Sequence, residues 1–269
     1  MTFDPRNILI IDFGQLGDVV MSLPALRAVR ERFPDARITV AVGKPGAEVV
    51  DISGYADAII VIDRASLRDG FKPFSILWLF RIVKDVRQRR FDFVIDLHSL
   101  SETNLLGFLS GASQRLFSRR PGRSLDFLAR FDPLPPIDRN DPKEHLTDRY
   151  LAVLAPLGIR DAQRVPRLVS RPADDREIQR LLERAKGRAE TPLVGLYPGA
   201  GHSSRRWPLE RFAELADWFV RNDQLCIVVF TGPEERTLLP QLRSIFPPTA
   251  VIFDNLTIGK LLAAQARLS

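Results

Sequence analysis

Two short stretches combine residues that could handle a phosphate and a proton. The first is "LYPGAGHSSRRWPLERF", Leu196–Phe212. It sets Gly199 and Gly201, the hydroxyls of Ser203 and Ser204, and the guanidinium groups of Arg205 and Arg206 between an apolar run and a helical pattern. Glycines let backbone N–H groups come close to a ligand. Pro208 suits a first helical position, and the helix behind it turns its positive end toward the loop. Free N–H groups at a helix start, with forked arginines beside them, can bind a phosphate or diphosphate. A hydroxyl-capped helix with solvated arginines has the same composition, so the loop alone leaves both readings open. Trp207 reads as packing under that helix.

The second stretch is "DFGQLGDVV", Asp12–Val20. Gly14 and Gly17 follow the first apolar run, and Asp18 opens the next helical pattern. In open α/β sheets this edge is where ligands bind. The spacing is not G-x-G-x-x-G, so no dinucleotide fingerprint is met. Asp18 is either a helix-start carboxylate in a tight turn or a general base. The helix dipole keeps such a carboxylate ionised and weakly basic. A weak base suffices when the proton leaves late, as when a hydroxyl attacks an oxocarbenium-like sugar carbon.

Smaller signals accompany these. "TGPEER" is a turn with Glu234 and Glu235 at a helix start, where a carboxylate could accept from nucleotide hydroxyls. His98 in "DLHSLSETN" ends a strand on the sheet edge of Asp18. "QRLFSRRPGRSLDFLAR" sets Arg115, Arg119, Arg120, Arg123 and Arg130 against one acid. The net charge is +6, which favours anionic partners. Three scattered histidines and one cysteine show no metal-ligand spacing, and neither a metal nor a cofactor is expected. There is no P-loop lysine motif and no G-x-S-x-G elbow. Cys226, inside "LCIVVF", reads as a buried thiol. No long apolar stretch and no leader pattern occurs, so a cytoplasmic protein is expected.

The elements that must position these residues alternate. "NILIID", "RITVAV", "AIIVID" and "FDFVIDL" read as strands, separated by helical patterns such as "VVMSLPALRAVRERF", "FSILWLFRIVKDVRQRR" and "TNLLGFLSG". The stretch from Phe117 to Arg139 is irregular, and "HLTDRYLAVLAPLGI" is helical. A second alternating unit follows: "DDREIQRLLERAKGR", "PLVGLYP", "LERFAELADWFVRN", "CIVVFTG", "ERTLLPQLRSIF", "AVIFD" and "IGKLLAAQARLS". Alternation of this kind predicts α/β units, each with a parallel sheet covered on both faces. The expected domains are 1–165 and 166–269. The first has four or five strands, and the second only about three.

Together the two loops resemble glycosyltransferase family 9, the heptosyltransferases. "ILIIDFGQLGDVVMSLPALRAVRERFPDARITVAV" is similar to the family's first strand, G-x-x-G-D turn and T-x-P-A-L-R-like helix. "YPGAGHSSRRWPLERFAELA" resembles its P-G-A-x-x-x-K-R-W-P segment, and "FTGPEER" its G-G-P-x-E turn. The resemblance implies a GT-B fold, two Rossmann-like domains facing a cleft, with acceptor bound by the first and nucleotide sugar by the second. It implies inverting, metal-independent transfer of heptose from ADP-heptose to the lipopolysaccharide inner core. Asp18 then falls on the base, Arg205 on the lysine at the donor phosphates, and Gly199, Gly201, Ser203 and Ser204 on the phosphate loop. Glu234 or Glu235 falls near the nucleotide acid. Gly14, Gly17, His98, Arg119 and Arg120 fall on the acceptor side. The chain departs from the family in two places. Arg205 stands where a lysine is usual, and the family's later D-x-G-x-x-H segment is absent. The chain therefore resembles a truncated member with an incomplete second domain. A fragment that binds an anionic saccharide without turnover is the alternative. Peripheral contact with the inner membrane surface is compatible with the charge. A nucleic-acid partner is not expected, because no recognition helix or aromatic platform accompanies the arginines.

Overall fold

The apolar run Asn7–Asp12 forms β1, buried from Ile8 onward. The computed structural model describes residues 3–63, 73–159, 162–186, 191–200 and 202–268. By internal contacts the chain divides into two units, Met1–Leu168 and Val169–Ser269.

In the first unit β1 leads into α1 (Leu16–Arg32), then β2 (Arg37–Gly43), α2 (Ala47–Ser53) and β3 (Ala58–Ile62). α3 (Pro73–Gln88), β4 (Phe93–Asp96), α4 (Ser101–Leu109), β5 (Gln114–Phe117) and α5 (Leu146–Val153) follow. All pairings are parallel, in the order β3-β2-β1-β4-β5. α1 buries Val19, Leu23, Leu26 and Val29. Pro24 lies inside it, so the helix lacks one backbone N–H there. α5 packs on α1, where the Thr147 hydroxyl donates to the Met21 carbonyl at 3.1 Å.

The second unit contains α6 (Pro172–Lys186), β6 (Leu193–Leu196), α7 (Leu209–Asn222), β7 (Cys226–Phe230), α8 (Leu239–Ile245), β8 (Val251–Phe253) and α9 (Ile258–Gln265). Its parallel strands run β6-β7-β8. The period-2 alternation of β7 divides the core. Cys226, Val228 and Phe230 pack with Ile178 and Leu182 of α6 and Ala263 and Ala264 of α9. Ile227 and Val229 pack on the opposite side with Ala213, Ala216, Leu242 and Phe246. Both units are therefore α/β layers around parallel sheets.

Three elements differ from the sequence expectation. α2 and β5 are short and carry little periodic signal, and packing against β3 and β4 holds them. "ERTLLPQLRSIF" is not one helix. A 3-10 turn over Pro233–Leu238 precedes α8, with Pro240 in its first turn.

Candidate functional site

In the first unit chain order reverses between β1 and β4, which lie side by side with Ile11 opposite Asp96. Such a switch point opens a crevice beyond the carboxyl ends of the two strands. Asp12, Gly14 and Asp18 come to it from β1, and Asp96 and His98 from β4. Asp12 is fully buried, and its Oδ1 accepts from the Gly14 N–H at 2.9 Å. Asp18 is half-buried in the first turn of α1, and its Oδ2 accepts from the Gln15 N–H at 2.8 Å. The carboxylate caps its own helix with one oxygen. A side chain at Gly14 would begin 2.4 Å from Asp18 Cβ, so only glycine fits. Gly17 is different. It lies within α1, and a Cβ there would meet nothing within 4 Å, so it is not the turn glycine that its spacing suggests.

His98 follows β4, with Nδ1 3.8 Å from Asp12 Oδ1. The next residue, Ser99, takes a left-handed φ of 42°. Asp96 holds that turn: its Oδ1 accepts from the Ser99 N–H at 2.8 Å and its Oδ2 from Asn104 Nδ2 at 2.7 Å. Burial pushes the Asp96 carboxyl up to about 7 against those bonds.

Arg120 reaches this edge from the segment after β5. Its Nη1 donates to the His98 carbonyl at 2.7 Å and its Nε to Asp138 at 2.9 Å. Arg149 of α5 joins the same Asp138 oxygen at 2.8 Å. Burial works against the Asp138 charge, but the Arg149 bond, the Asn140 N–H and both guanidinium charges carry its carboxyl below the usual range. Around this clamp lies a pocket of about 350 Å³ lined by Arg120, Arg123, Arg139 and Arg149, with Asp138 and Asn140. Four cations against one carboxylate give the pocket a net positive charge and forked donors of the kind that pair with anions. Arg119 does not line it; its Nε lies 3.5 Å from Asp126.

In the second unit the groups of the expected phosphate loop divide into those engaged within the loop and those that are not. Residues Ser203–Arg205 form a 3-10 turn. His202 Nδ1 lies 2.7 Å from Ser204 Oγ and accepts from the Ser204 N–H at 3.2 Å. The Ser204 hydroxyl is therefore tied locally. Arg206 Nε donates to the Ala200 carbonyl at 3.0 Å, which folds the loop on itself. The Arg205 guanidinium is exposed and takes no ion-pair partner among the described residues. Pro208 is the N-cap of α7 rather than its first helical residue, and no side chain caps that end. Trp207 stands edge-on to Phe212 at 5.0 Å and stays half exposed. Gly201 and the Ser203 side chain lie outside the described residues.

Glu234 and Glu235 part company. Glu234 is exposed. Glu235 is 2% exposed, accepts from the Gly232 N–H at 2.9 Å, and lies 3.9 Å from Arg206 Nη2. A Cβ at Gly199 would fall 2.5 Å from its Oε1. Gly199 thus makes room for a buried carboxylate that joins the loops after β6 and β7. No group of three or more metal-ligating side chains occurs among the described residues.

Residues 79–252, more than half of the chain, match the family model for glycosyltransferase family 9 (heptosyltransferase). The chain belongs to glycosyltransferase family 9. Solved structures agree on the fold. The glycosyltransferase family 9 protein of Veillonella parvula DSM 2008 is 24% identical, with a TM-score of 0.80 over 100% of this chain and 74% of that one. E. coli ADP-heptose lps heptosyltransferase II is 19% identical, with a TM-score of 0.74 over 97% of this chain and 77% of that one. E. coli heptosyltransferase WaaC with ADP-2-deoxy-2-fluoro heptose is 15% identical, with a TM-score of 0.73 over 97% and 80%. No curated protein matches the sequence. These likenesses give this family 9 glycosyltransferase its GT-B class.

For this family 9 chain, sequence reasoning missed Asp12, Asp96, Arg139 and Arg149 beside the expected groups, whereas Arg123 lay in the basic stretch already singled out. Asp12 and Asp96 had a visible signal, an acid closing a buried apolar run. Arg139 and Arg149 had none, because they reach the pocket from a separate loop and a helix. No helix among the described residues is long and apolar enough to cross a membrane.

Proposed function

We propose that the chain transfers heptose from ADP-heptose to an anionic saccharide of the lipopolysaccharide inner core, with inversion and without a metal. Asp18 takes the proton of the acceptor hydroxyl as the oxygen bonds to the anomeric carbon, and the bond to the departing diphosphate breaks. Its second carboxylate oxygen is the one available, since Oδ2 caps the helix. Arg205, Gly199, Gly201, Ser203 and the open start of α7 carry the charge that develops on the leaving phosphate. The Glu234–Glu235 turn receives the nucleotide hydroxyls, with Glu234 the acid whose carboxylate is exposed. Gly14, His98 and Arg120 frame the acceptor hydroxyl. The arginine-lined pocket holds an acidic or phosphorylated group of the acceptor, and its positive charge suits work beside an anionic membrane surface in the cytoplasm.

The observation that carries this reading is the division of labour between two adjacent arginines: Arg206 is used by the loop and Arg205 is left for a ligand. WaaC has been solved with ADP, which supports a nucleotide-sugar donor for this relative. The test is ADP release on incubation with ADP-heptose and deep-core acceptor in chelator. Turnover is expected, and Asp18→Asn lowers it by about 10²-fold or more. An unchanged rate in that variant sinks the base assignment. A second reading, saccharide binding without turnover, is favoured by the pocket lying entirely within the first unit. Calorimetry showing acceptor binding with no ADP-heptose binding selects it.

A further inference from the structure

The buried carboxyl of Asp12 has no role in the scheme above. It is fully buried at the end of β1, and Oδ2 accepts no hydrogen bond among the described residues. The nearby Ser22 hydroxyl donates to the Val19 carbonyl at 3.0 Å and also bears on the Asp12 carboxyl. An isolated buried carboxylate is costly, so it must find a cation or hold a proton. The imidazole that meets it is that of His98, with Nδ1 3.8 Å from Oδ1.

The surroundings make that proton consequential. Asp12 Oδ1 lies 3.0 Å, and Asp18 Oδ2 3.1 Å, from the point where a Gly14 side chain would begin. The glycine therefore keeps two carboxylates close across an open point. Burial pushes the Asp12 carboxyl up; the Ser22 hydroxyl and the Gly14 N–H pull it down, the Asp18 charge adds to the rise, and the Arg120 charge opposes it. Tyr150 of α5 is buried beside both acids, and burial and their charges push its hydroxyl up, against Arg120 and Arg149. Asp96 turns its oxygens to Ser99 and Asn104.

We propose that Asp12 and His98 form a charge-coupled pair and act together as positioning residues for the Asp18 turn. At 3.8 Å the two atoms stand too far apart for a direct hydrogen bond, so the coupling is electrostatic: the Asp12 carboxylate favours the imidazolium form of His98, and the imidazolium favours the carboxylate. This deepens the reading of Asp18 as the base, yet the pair exists or fails independently of turnover.

The chain has three histidines, so NMR can follow each ring against pH. The His98 signal is the one lost in His98→Gln. In Asp12→Asn, a near-isosteric change, the His98 midpoint is expected to fall by at least about one pH unit, the effect of losing an opposite charge at this range. His145, which caps α5, and His202, beside Ser204, stay where they were. A His98 midpoint that does not move overturns the proposal. Should Asp12→Asn fail to fold, the wild-type chain still decides. The carboxyl carbon of Asp12 and the ring of His98 must report common inflections, as coupled groups do. Independent inflections overturn the pair. If ADP release is absent while the inflections coincide, the transferase reading falls and the pair stands. Where turnover is measured, Asp12→Asn also moves the acidic limb of the kcat/KM profile, which a merely structural residue would leave in place.

Discussion

Gly199→Ala is the sharpest perturbation of the second unit. The added methyl carbon would sit 2.4 Å from Glu235 Cδ and 2.5 Å from Oε1, distances that real side chains do not keep. Glu235 cannot yield within its own turn, because Oε2 is held by the Gly232 N–H at 2.9 Å and the residue is 2% exposed. Displacing the carboxylate breaks a hydrogen bond to a charged group, an effect of about 1.5–3 kcal/mol. A methyl forced into filled space costs about 1–3 kcal/mol. The two describe one displacement, so the expected loss is about 2–4 kcal/mol. Urea unfolding followed by tryptophan fluorescence reads it well, because Trp207 and Trp218 both belong to this unit. Gly17→Ala is the matched control. Its site is open and helical, and a gain of up to about 1 kcal/mol is expected. If Gly199→Ala stays within about 0.5 kcal/mol of the parent, the size of an ordinary surface change, Glu235 does not occupy that space and the clasp is refuted.

Other outcomes follow from the same geometry. Arg205→Ala should weaken ADP binding in calorimetry by about tenfold or more while leaving the unfolding midpoint in place. Arg206→Ala should lower the unfolding free energy by about 1 kcal/mol, and with it the midpoint, through loss of the Ala200 carbonyl bond. Asp96 binds its proton more tightly folded than unfolded, so its contribution favours the fold at low pH. That contribution is lost as pH rises from about 4 to about 7, by a few kcal/mol at most. Unfolding of Asp96→Asn across that window should show a flatter pH slope than the parent; an unchanged slope refutes the assignment.

Much of the scaffold was legible in the sequence because β1 to β4 are nearly continuous apolar runs, and such runs have one fate in a doubly covered parallel sheet. β5 was not, since Gln114–Phe117 is half polar and becomes a strand only by pairing with β4. The positions of the two loops were legible, but the assignments within them were not. Gly14 and Gly17 look alike in sequence, and only Asp18 Cβ against one of them tells which is obligatory. Arg205 and Arg206 are neighbours of identical chemistry, separated by a single carbonyl contact. The arginine-lined pocket draws on residues from Arg120 to Arg149 with no local period, so no window of sequence displays it.

The order of strands in the first unit also bears on how the chain acquires its site. β1 pairs with β2 soon after synthesis, but its other edge waits for β4, with Ile8 opposite Phe93. Long loop closure makes such pairing slow. Asp12 cannot meet His98 until that late strand docks, whereas β6, β7 and β8 join in simple succession. The switch-point crevice is thus assembled at the pairing with the widest sequence separation in its sheet, and a chain arrested before β4 docks would hold Asp12 with no histidine beside it.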